Sequence, residues 1–154
     1  MIENNKYGMG TSIERSSAKS TELYHRGQAY GIPGVQVDGM DVLAVHEAAE
    51  KALAHARSGK GPYIMEMLTY RYRGHSMSDP AKYRSKEEVQ KVRQERDPIE
   101  RLRGIMIERK VMDEAKLKEL DKEVKAIVSE AADFAQTSPE PDVSELYTDV
   151  YVGA

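Results

Sequence analysis

The spacing of apolar residues changes along the chain, and these changes predict a mixed α/β first half followed by a helical second half. Residues 63–70 form an apolar run that predicts a buried strand, and residues 35–37 predict a shorter one. Between them, Asp41 occupies a helix N-cap position and Gly59 a C-terminal position. The order strand, helix, strand predicts a parallel βαβ unit with a right-handed crossover. The apolar positions of this helix are Val42, Val45, Ala49, Ala52, Leu53 and Ala56.

The chain before this unit is less regular. Residues 1–19 have the pattern of a strand stub followed by a polar loop rich in Gly, Asn and Ser. Ser20 or Thr21 is a candidate N-cap for a short helix through Ala29, and the glycines and proline of residues 31–34 would end it. The sequence therefore predicts one short helix and little other regular structure here.

The second half predicts three helices, each with a recognisable first residue. Ser85 and Glu88 form a capping box for a helix through about residue 95. Asp97, followed by Pro98, begins the next helix, and Asp113 begins the longest one. Apolar residues at steps of three and four along the longest helix predict a packed face: Leu117, Leu120, Val124, Ile127, Val128 and Ala131. Residues 143–152 form a short tail for which we expect a strand.

Composition excludes several classes of protein. The chain has 154 residues and a net charge of −3, which argues against a general nucleic-acid binder. It contains no Cys, so disulfides, thiolate metal sites and cysteine nucleophiles are absent. No apolar run approaches the roughly 18 residues of a membrane span. We expect neither a nucleic-acid nor a membrane partner.

The polar segment after the predicted buried strand is the first candidate site. Residues 71–80 lack a helical or strand period and hold His75 between Gly74 and Ser76. An imidazole can bind a phosphate or exchange a proton near neutral pH, although Gly-His-Ser also occurs in ordinary surface loops. Open α/β sheets bind ligands at the carboxyl ends of their strands, which favours a functional loop here.

Other polar residues admit two readings each. The amide oxygens of Asn4 and Asn5 suit a hard cation such as Mg²⁺, but Asn is also a common turn residue. The cations of this region would either hold an anionic partner or form a solvated, salt-bridged loop: Arg71, Arg73, Lys82 and Arg84. Ser12, Ser76 and Ser78 are hydroxyls in polar loops where no neighbouring base is evident.

Taken together, three segments resemble one enzyme family. Residues 3–12, 37–41 and 70–80 resemble successive parts of the alpha subunit of pyruvate dehydrogenase, the thiamine diphosphate-dependent first component of its complex. Residues 97–99 and the tail around residue 150 also fit. The resemblance covers essentially the whole chain as the C-terminal part of that subunit. It implies an α/β fold: a partial parallel sheet of a thiamine diphosphate-binding fold, followed by a helical C-terminal region.

The resemblance also implies residue roles and a domain boundary. By position, the side chain of Asn5 and the backbone carbonyl of Tyr7 would bind the Mg²⁺ that holds the cofactor diphosphate. His75 would contact the cofactor and assist decarboxylation and reductive acylation. Ser76 and Ser12 align with regulatory phosphorylation sites. Residues 1–84 would be the C-terminal part of the cofactor-binding domain, and residues 85–154 the helical region.

The implied partners are those of a multienzyme complex. They are a beta subunit in a heterotetramer, the lipoyl domain of the acyltransferase component, and pyruvate as the small-molecule substrate. A third regulatory serine is replaced near Lys82, where the loop is also shorter, and this favours a bacterial protein of the cytoplasm over one of the mitochondrial matrix.

One departure from the family pattern affects the expected activity. The family has an upstream Gly-Asp-Gly segment whose Asp also binds Mg²⁺, and this chain has no equivalent. We expect that further sequence normally precedes Met1 and that the chain alone is inactive. Because a truncated sheet exposes strand edges and an apolar face, we also expect self-association or an unusual fold. The alternatives are the alpha subunit of another 2-oxo acid dehydrogenase, of branched-chain or acetoin type, or a non-catalytic truncated assembly module.

Overall fold

A small parallel sheet with helices on its faces organises the first part of the chain in a computed structural model, which describes residues 1–18 and 22–152. The elements in chain order are β1 (Ile2–Asn4), β2 (Tyr7–Gly8), β3 (Thr11–Ser12), α1 (Ile13–Ser16), a first 3-10 helix (Leu23–Tyr30), β4 (Gly34–Asp38), α2 (Val42–Arg57), β5 (Ile64–Leu68), α3 (Lys86–Arg96), α4 (Pro98–Glu108), α5 (Glu114–Thr137) and a second 3-10 helix (Val143–Tyr147). The predicted α/β class with a partial parallel sheet and several helices is confirmed.

The sheet has three strands in the order β1-β5-β4, and both outer strands run parallel to β5. In register, Leu68 at the end of β5 lies opposite Asn4 of β1 and Asp38 of β4. The carboxyl ends of all three strands therefore meet at one edge. The βαβ unit formed by β4, α2 and β5 is the parallel pair that the sequence predicted.

One face of the sheet packs against α2 and forms the hydrophobic core. Val37, Met65 and Met67 are buried there together with Ala48 and Ala52 of the helix. Alternate residues of a strand point to the same face, which is why Met65 and Met67 share the core. The predicted apolar side of α2 was partly wrong, because Val42, Leu53 and Ala56 are exposed.

The other face carries Gln36 and Glu66, which lie opposite each other in register. The first 3-10 helix covers this face, and its Gly27 comes so close that an added Cβ would lie 2.6 Å from Cδ1 of Ile64. The helix ends at Gly31, whose φ of 68° is the left-handed conformation expected of a C-terminal glycine. The predicted short helix is thus present as a 3-10 helix, and its proposed caps, Ser20 and Thr21, lie outside the described residues.

The N-terminal polar segment is more regular than predicted. Instead of a long loop, it contains the antiparallel pair β2–β3 and the short helix α1. Ile13 at the start of α1 is buried, which anchors the segment in the interior. A single apolar residue among polar neighbours has no period, and this explains why the pattern missed these elements.

The predicted caps of the later helices are confirmed. The Ser85 side chain accepts from the Glu88 backbone N–H at 3.0 Å, which is the N-cap half of the predicted capping box, while the Glu88 side chain accepts from the Tyr70 hydroxyl. Asp97 caps α4 through the N–H groups of Ile99 and Glu100, and Asp113 caps α5 through that of Lys116. These contacts satisfy backbone donors that would otherwise lack intrahelical partners.

The chain divides into two compact units, with the second beginning at Lys110. In the second unit, Leu117 is the only buried residue of α5, and the rest of its predicted packed face is exposed, including Ile127 at 65% and Val128 at 63%. Residues 143–147 form a 3-10 helix, so the predicted strand in the tail was wrong.

The boundary between residues 84 and 85 concerns the family's domains and stays a prediction. No helix among the described residues is long and apolar enough to cross a membrane.

Candidate functional site

The carboxyl edge of the sheet brings together the three segments that the sequence singled out. Asn4 ends β1 and Asn5 follows it, Asp38 ends β4, and the loop with His75 follows β5. This edge is where open parallel sheets bind ligands. The site is therefore built from three loops that are adjacent in space and far apart in sequence.

The two adjacent asparagines have different surroundings. Asn4 is buried, its Nδ2 donates to Oε1 of Glu66 at 2.6 Å, and its Oδ1 accepts from the Lys6 backbone N–H at 2.9 Å. Asn5 is half-buried, and within the described part of the chain its side chain makes no hydrogen bond. Asn4 is thus a structural residue, and Asn5 has an amide oxygen available for a ligand.

A tight turn carries the chain from Asn5 to Tyr7. Lys6 has a φ of 65°, a left-handed conformation that is uncommon outside glycine and asparagine. The bond from its N–H to Asn4 Oδ1 is an Asx turn, which stabilises that conformation. The Lys6 carbonyl accepts from the Ile13 N–H at 2.9 Å, so the turn is also tied to α1.

Aromatic contacts join this first loop to the loop after β5. The Tyr7 ring lies 4.9 Å from the Tyr83 ring, centroid to centroid. The Arg84 guanidinium lies 4.9 Å from the centroid of Tyr7 and 5.0 Å from that of Tyr70. It also donates to the Arg71 carbonyl. Arg84 therefore joins the start of the loop after β5, at Tyr70 and Arg71, to the end of that loop. Its cation–π contact with Tyr7 also holds the loop against the segment that follows β1.

Asp79 is the centre of the loop after β5. Its carboxylate accepts from the His75 N–H at 2.7 Å, the Ala81 N–H at 2.8 Å and the Tyr83 hydroxyl at 2.7 Å. These bonds, first the one from the His75 backbone, hold the pKa of Asp79 below its usual range. The hydrogen bond from the Tyr83 hydroxyl to Asp79 in turn raises the pKa of Tyr83. One carboxylate thus shapes the loop from residue 75 to residue 83.

His75 is exposed, and its backbone is held from both sides. Besides the bond to Asp79, its carbonyl accepts from Nη2 of Arg71 at 3.0 Å. Nη1 of Arg71 lies 3.5 Å from Nδ1 of His75, and a guanidinium can only donate. This contact favours the tautomer that carries its proton on Nε2. The imidazole is therefore presented to solvent from a backbone that two hydrogen bonds hold in place.

The structure does not connect all of the predicted site residues directly. Among residues 1–18 and 22–152, no hydrogen bond, ion pair or ring contact joins His75 to Asn5 or Tyr7. Ser76 is exposed, and its Oγ lies 3.0 Å from that of Ser78. Ser12 is half-buried on β3, opposite Tyr7.

The middle segment is held by ion pairs. Asp38 contacts Arg96 at 2.9 Å and Arg101 at 3.5 Å, and Arg101 also contacts Asp41 at 2.7 Å. Gly39 lies against the end of β5, where an added Cβ would be 2.7 Å from Cγ2 of Thr69. These contacts give the Asp-Gly-Met-Asp segment a packing role, fastening β4 and α2 to helices α3 and α4.

The first loop borders a cleft whose chemistry fits a metal-bound anion. The cleft measures about 240 Å³, and Asn5, Lys6, Tyr7 and Arg26 are among its lining residues. An amide oxygen and a backbone carbonyl are hard ligands that Mg²⁺ accepts, and the two cations suit phosphate oxygens. Among the described residues no group of three His, Asp or Glu side chains could hold a metal. The Asn5 amide oxygen and the Tyr7 carbonyl are thus a partial ligand set for the predicted Mg²⁺, and the Lys6 and Arg26 cations suit the predicted diphosphate.

Sequence reasoning missed several residues that shape the site. Glu66 is fully buried in β5, and Tyr83 joins the two loops. One signal for Glu66 was present: it is the single charged residue in the apolar run over residues 63–70. The role of Tyr83 had no signal, because it depends on contacts with a segment more than seventy residues earlier.

Comparisons with known proteins identify the family to which this chain is similar. The family model "Dehydrogenase E1 component" matches residues 1–144. The chain is 63% identical over 150 residues to the pyruvate dehydrogenase E1 component subunit alpha of Rhizobium meliloti, which covers 97% of this chain and 43% of the relative. It is 50% identical to the subunit of that name from Rickettsia bellii, covering 99% of this chain and 46% of the relative.

A mitochondrial relative also matches. The pyruvate dehydrogenase E1 component subunit alpha of Sminthopsis macroura is 53% identical over 98% of this chain and 41% of the relative. The chain thus spans less than half the length of each of these relatives. Because the family model matches well over half of the chain, the chain belongs to the dehydrogenase E1 component family.

Proposed function

We propose that this chain is part of the alpha subunit of pyruvate dehydrogenase, which decarboxylates pyruvate oxidatively and passes the acetyl group to a lipoyl group. The observation that carries the proposal is the meeting of all three family segments at the carboxyl edge of one parallel sheet. The relatives' names support pyruvate over branched-chain 2-oxo acids or acetoin.

The first loop is proposed to bind Mg²⁺ and the diphosphate of thiamine diphosphate. The Asn5 side chain would supply one oxygen and the Tyr7 backbone carbonyl another. The Asx turn at Lys6 supports this assignment because it aligns the backbone between the two ligands. Lys6 and Arg26 line the same cleft and would offset the negative charge of the phosphates. When bound, the cofactor supplies a nucleophilic carbon and an electron sink for the loss of CO₂.

The loop after β5 is proposed to present His75 to the substrate and cofactor. Its backbone bonds to Asp79 and Arg71 restrict the imidazole's position without engaging its Nε2. A positioned imidazole can hold or release a proton near neutral pH, which suits decarboxylation and acyl transfer. Ser76 and Ser12 remain proposed phosphorylation sites. A phosphate on Ser76 would place about two negative charges beside His75 and oppose the binding of an anionic substrate.

The proposed partners follow from the reaction. A beta subunit would complete the cofactor pocket in a heterotetramer, and the lipoyl domain of the acyltransferase component would accept the acetyl group. We propose that the chain alone is inactive, because it spans less than half of its relatives. The relatives include bacterial and mitochondrial proteins, and we propose the bacterial cytoplasm for this chain.

Reconstitution tests the function directly. The alpha subunit containing this chain is combined with its beta subunit and a lipoyl domain, and acetylation of the lipoyl group is measured by mass spectrometry. Pyruvate should outcompete branched-chain 2-oxo acids, and His75→Ala should lower the rate at least about a hundredfold, within the range of general acid–base effects. A preference for branched-chain acids would contradict the substrate assignment. No turnover with any 2-oxo acid would favour a non-catalytic assembly module.

A further inference from the structure

Glu66 is a buried carboxylate that the proposed mechanism does not use. It has no solvent exposure, although Glu is one of the residue types that are almost never fully buried unless paired. It lies in the middle strand of the sheet, on the face opposite the hydrophobic core. A buried charge of this kind persists only where its hydrogen bonds are satisfied.

Three donors from three different elements satisfy it. Oε1 accepts from Nδ2 of Asn4 at 2.6 Å, and Oε2 accepts from the Tyr24 N–H at 3.1 Å and from Nε2 of Gln36 at 3.3 Å. An ionised carboxylate only accepts hydrogen bonds, and this matches its surroundings, where the described contacts are all donors. The site therefore requires an acceptor on both oxygens of residue 66.

The contact with Asn4 determines which way the Asn4 amide faces. Because Oε1 of Glu66 requires a donor, the NH₂ group of Asn4 must face it, and Oδ1 must face the other way. Oδ1 then accepts from the Lys6 N–H at 2.9 Å and stabilises the left-handed turn. The donor–acceptor direction of the buried Asn4–Glu66 bond thus determines whether Asn4 Oδ1 can accept from the backbone N–H between Asn5 and Tyr7.

We propose that Glu66 is a positioning residue for the cation-binding turn, acting through the orientation of the Asn4 amide. This inference rests on the proposed function for its consequence, the binding of Mg²⁺ and diphosphate by Asn5 and Tyr7. The orientation itself is a property of this chain's own residues, and it can be measured without any ligand.

Glu66→Gln reverses the polarity of one oxygen. If the new side-chain oxygen keeps the two donors Tyr24 and Gln36, the new NH₂ group faces the NH₂ group of Asn4. The Asn4 amide then flips to offer its oxygen, and the Lys6 N–H loses its acceptor.

Asn4→Asp alone places a second carboxylate against Glu66, which is repulsive. The double variant Asn4→Asp with Glu66→Gln restores every bond, since a carboxylate at position 4 can accept both from an amide at position 66 and from the Lys6 N–H.

The experiment compares these variants in the 154-residue chain by NMR-detected hydrogen exchange of the Lys6 amide. We expect Glu66→Gln to speed this exchange about tenfold, the effect of losing one modest hydrogen bond, and the double variant to return it to within about threefold of the parent. Gln36→Met is the matched control, because it removes a donor from the other oxygen and leaves the Asn4 bond in place. Its Lys6 exchange should stay within about threefold of the parent.

A second readout tests the consequence for the site. In the alpha subunit assembled with its beta subunit, calorimetry with Mg²⁺ and thiamine diphosphate should give about 10–100-fold weaker binding for Glu66→Gln, and recovery in the double variant. If the parent does not bind, the proposed function fails, while the exchange data still decide the positioning role.

Two results would overturn the inference. The first is a folded Glu66→Gln chain whose Lys6 amide exchanges at the parent's rate. The second is a double variant that does not recover Lys6 protection, whether it folds or not. If Glu66→Gln does not fold and the double variant folds with Lys6 protected, the recovery supports the inference, because only the polarity of the pair has been reversed.

Discussion

At the scale of single residues, two neighbouring asparagines have different roles: Asn4 is held in structural hydrogen bonds, and Asn5 is available to a ligand. Sequence reasoning could not tell them apart by spacing, since either could turn or bind a cation. The structure separates them because Asn4 meets the buried Glu66, which is distant in sequence, whereas the Asn5 amide has no hydrogen bond within the described residues. Only the resemblance to the family had pointed to Asn5.

This division predicts opposite results for two adjacent substitutions. Asn4→Ala should destabilise the chain by about 1–3 kcal/mol, because it leaves the Lys6 N–H and a Glu66 oxygen without partners. Asn5→Ala should change the free energy of unfolding by less than about 0.5 kcal/mol, because it breaks no hydrogen bond among the described residues. Urea denaturation of the two variants measures both values. Equal destabilisation would contradict the division.

Tyr70 should titrate at unusually high pH. Burial first, and then its 2.9 Å hydrogen bond to Glu88, raise the pKa of Tyr70 to about 12. Because the pKa of Tyr70 is higher in the folded chain than in the unfolded one, its contribution to stability is fully present below the ordinary pKa of about 10. This contribution is lost as the pH rises from there through about 12. Stability should therefore fall in that window, and less so in Tyr70→Phe.

NMR titration of the Tyr70 ring carbon checks the value. The matched variant Glu88→Gln should lower the pKa of Tyr70 only part of the way, because burial is the larger cause. A Tyr70 midpoint near the ordinary value of about 10 in the parent would contradict the packing described for this residue.

At the scale of elements, the loop after β5 is ordered by side chains and not by backbone regularity. Asp79 accepts three hydrogen bonds, and Gly74 lies against it. An added Cβ at Gly74 would lie 2.7 Å from the Asp79 carbonyl oxygen and 3.0 Å from its carboxyl carbon. Gly74 is thus required for the close approach that positions His75.

Gly74→Ala should therefore displace Asp79 and release the His75 backbone. We expect the His75 amide to exchange about tenfold faster, while the global free energy of unfolding changes by less than about 1 kcal/mol, because the loop is largely exposed. Gly104→Ala in α4 is the control, since an added Cβ there meets nothing within 4 Å and Ala favours a helix by up to about 1 kcal/mol. Unchanged His75 exchange in Gly74→Ala would contradict the role of this contact.

The elements with local signals were the ones that the sequence predicted well. Caps at Asp41, Ser85, Asp97 and Asp113 and the parallel βαβ unit depend on neighbouring residues or on period, and the structure confirms them. The β2–β3 pair was missed because two-residue strands carry no period. The packed face of α5 was predicted from a stripe alone, but a stripe does not say whether a partner element is present.

At the scale of the whole molecule, that stripe leaves apolar surface in contact with solvent. Val124, Ile127, Val128 and Phe134 on α5 are between 50% and 73% exposed. Contiguous exposed apolar residues on a helix promote association. We predict that this stripe on α5 contributes to self-association, in addition to the sheet edges from which the sequence led us to expect it.

Sedimentation velocity over a range of concentrations tests this expectation. The parent should associate as concentration rises, and the double variant Val124→Lys with Val128→Lys should associate less, because it places two charges in the stripe. Val111→Lys is the control, since Val111 is 61% exposed and lies outside α5. A parent that stays monomeric at every concentration would contradict the prediction.

The central claim is that the turn from Asn5 to Tyr7 holds Mg²⁺ and thiamine diphosphate at the carboxyl edge of the sheet. Calorimetric titration of the chain with both ligands, with and without a beta subunit, tests it most directly. We predict Mg²⁺-dependent binding in the presence of the beta subunit, weakened at least about tenfold by Asn5→Ala. No binding with the beta subunit present, or equal binding by parent and Asn5→Ala, would contradict the account.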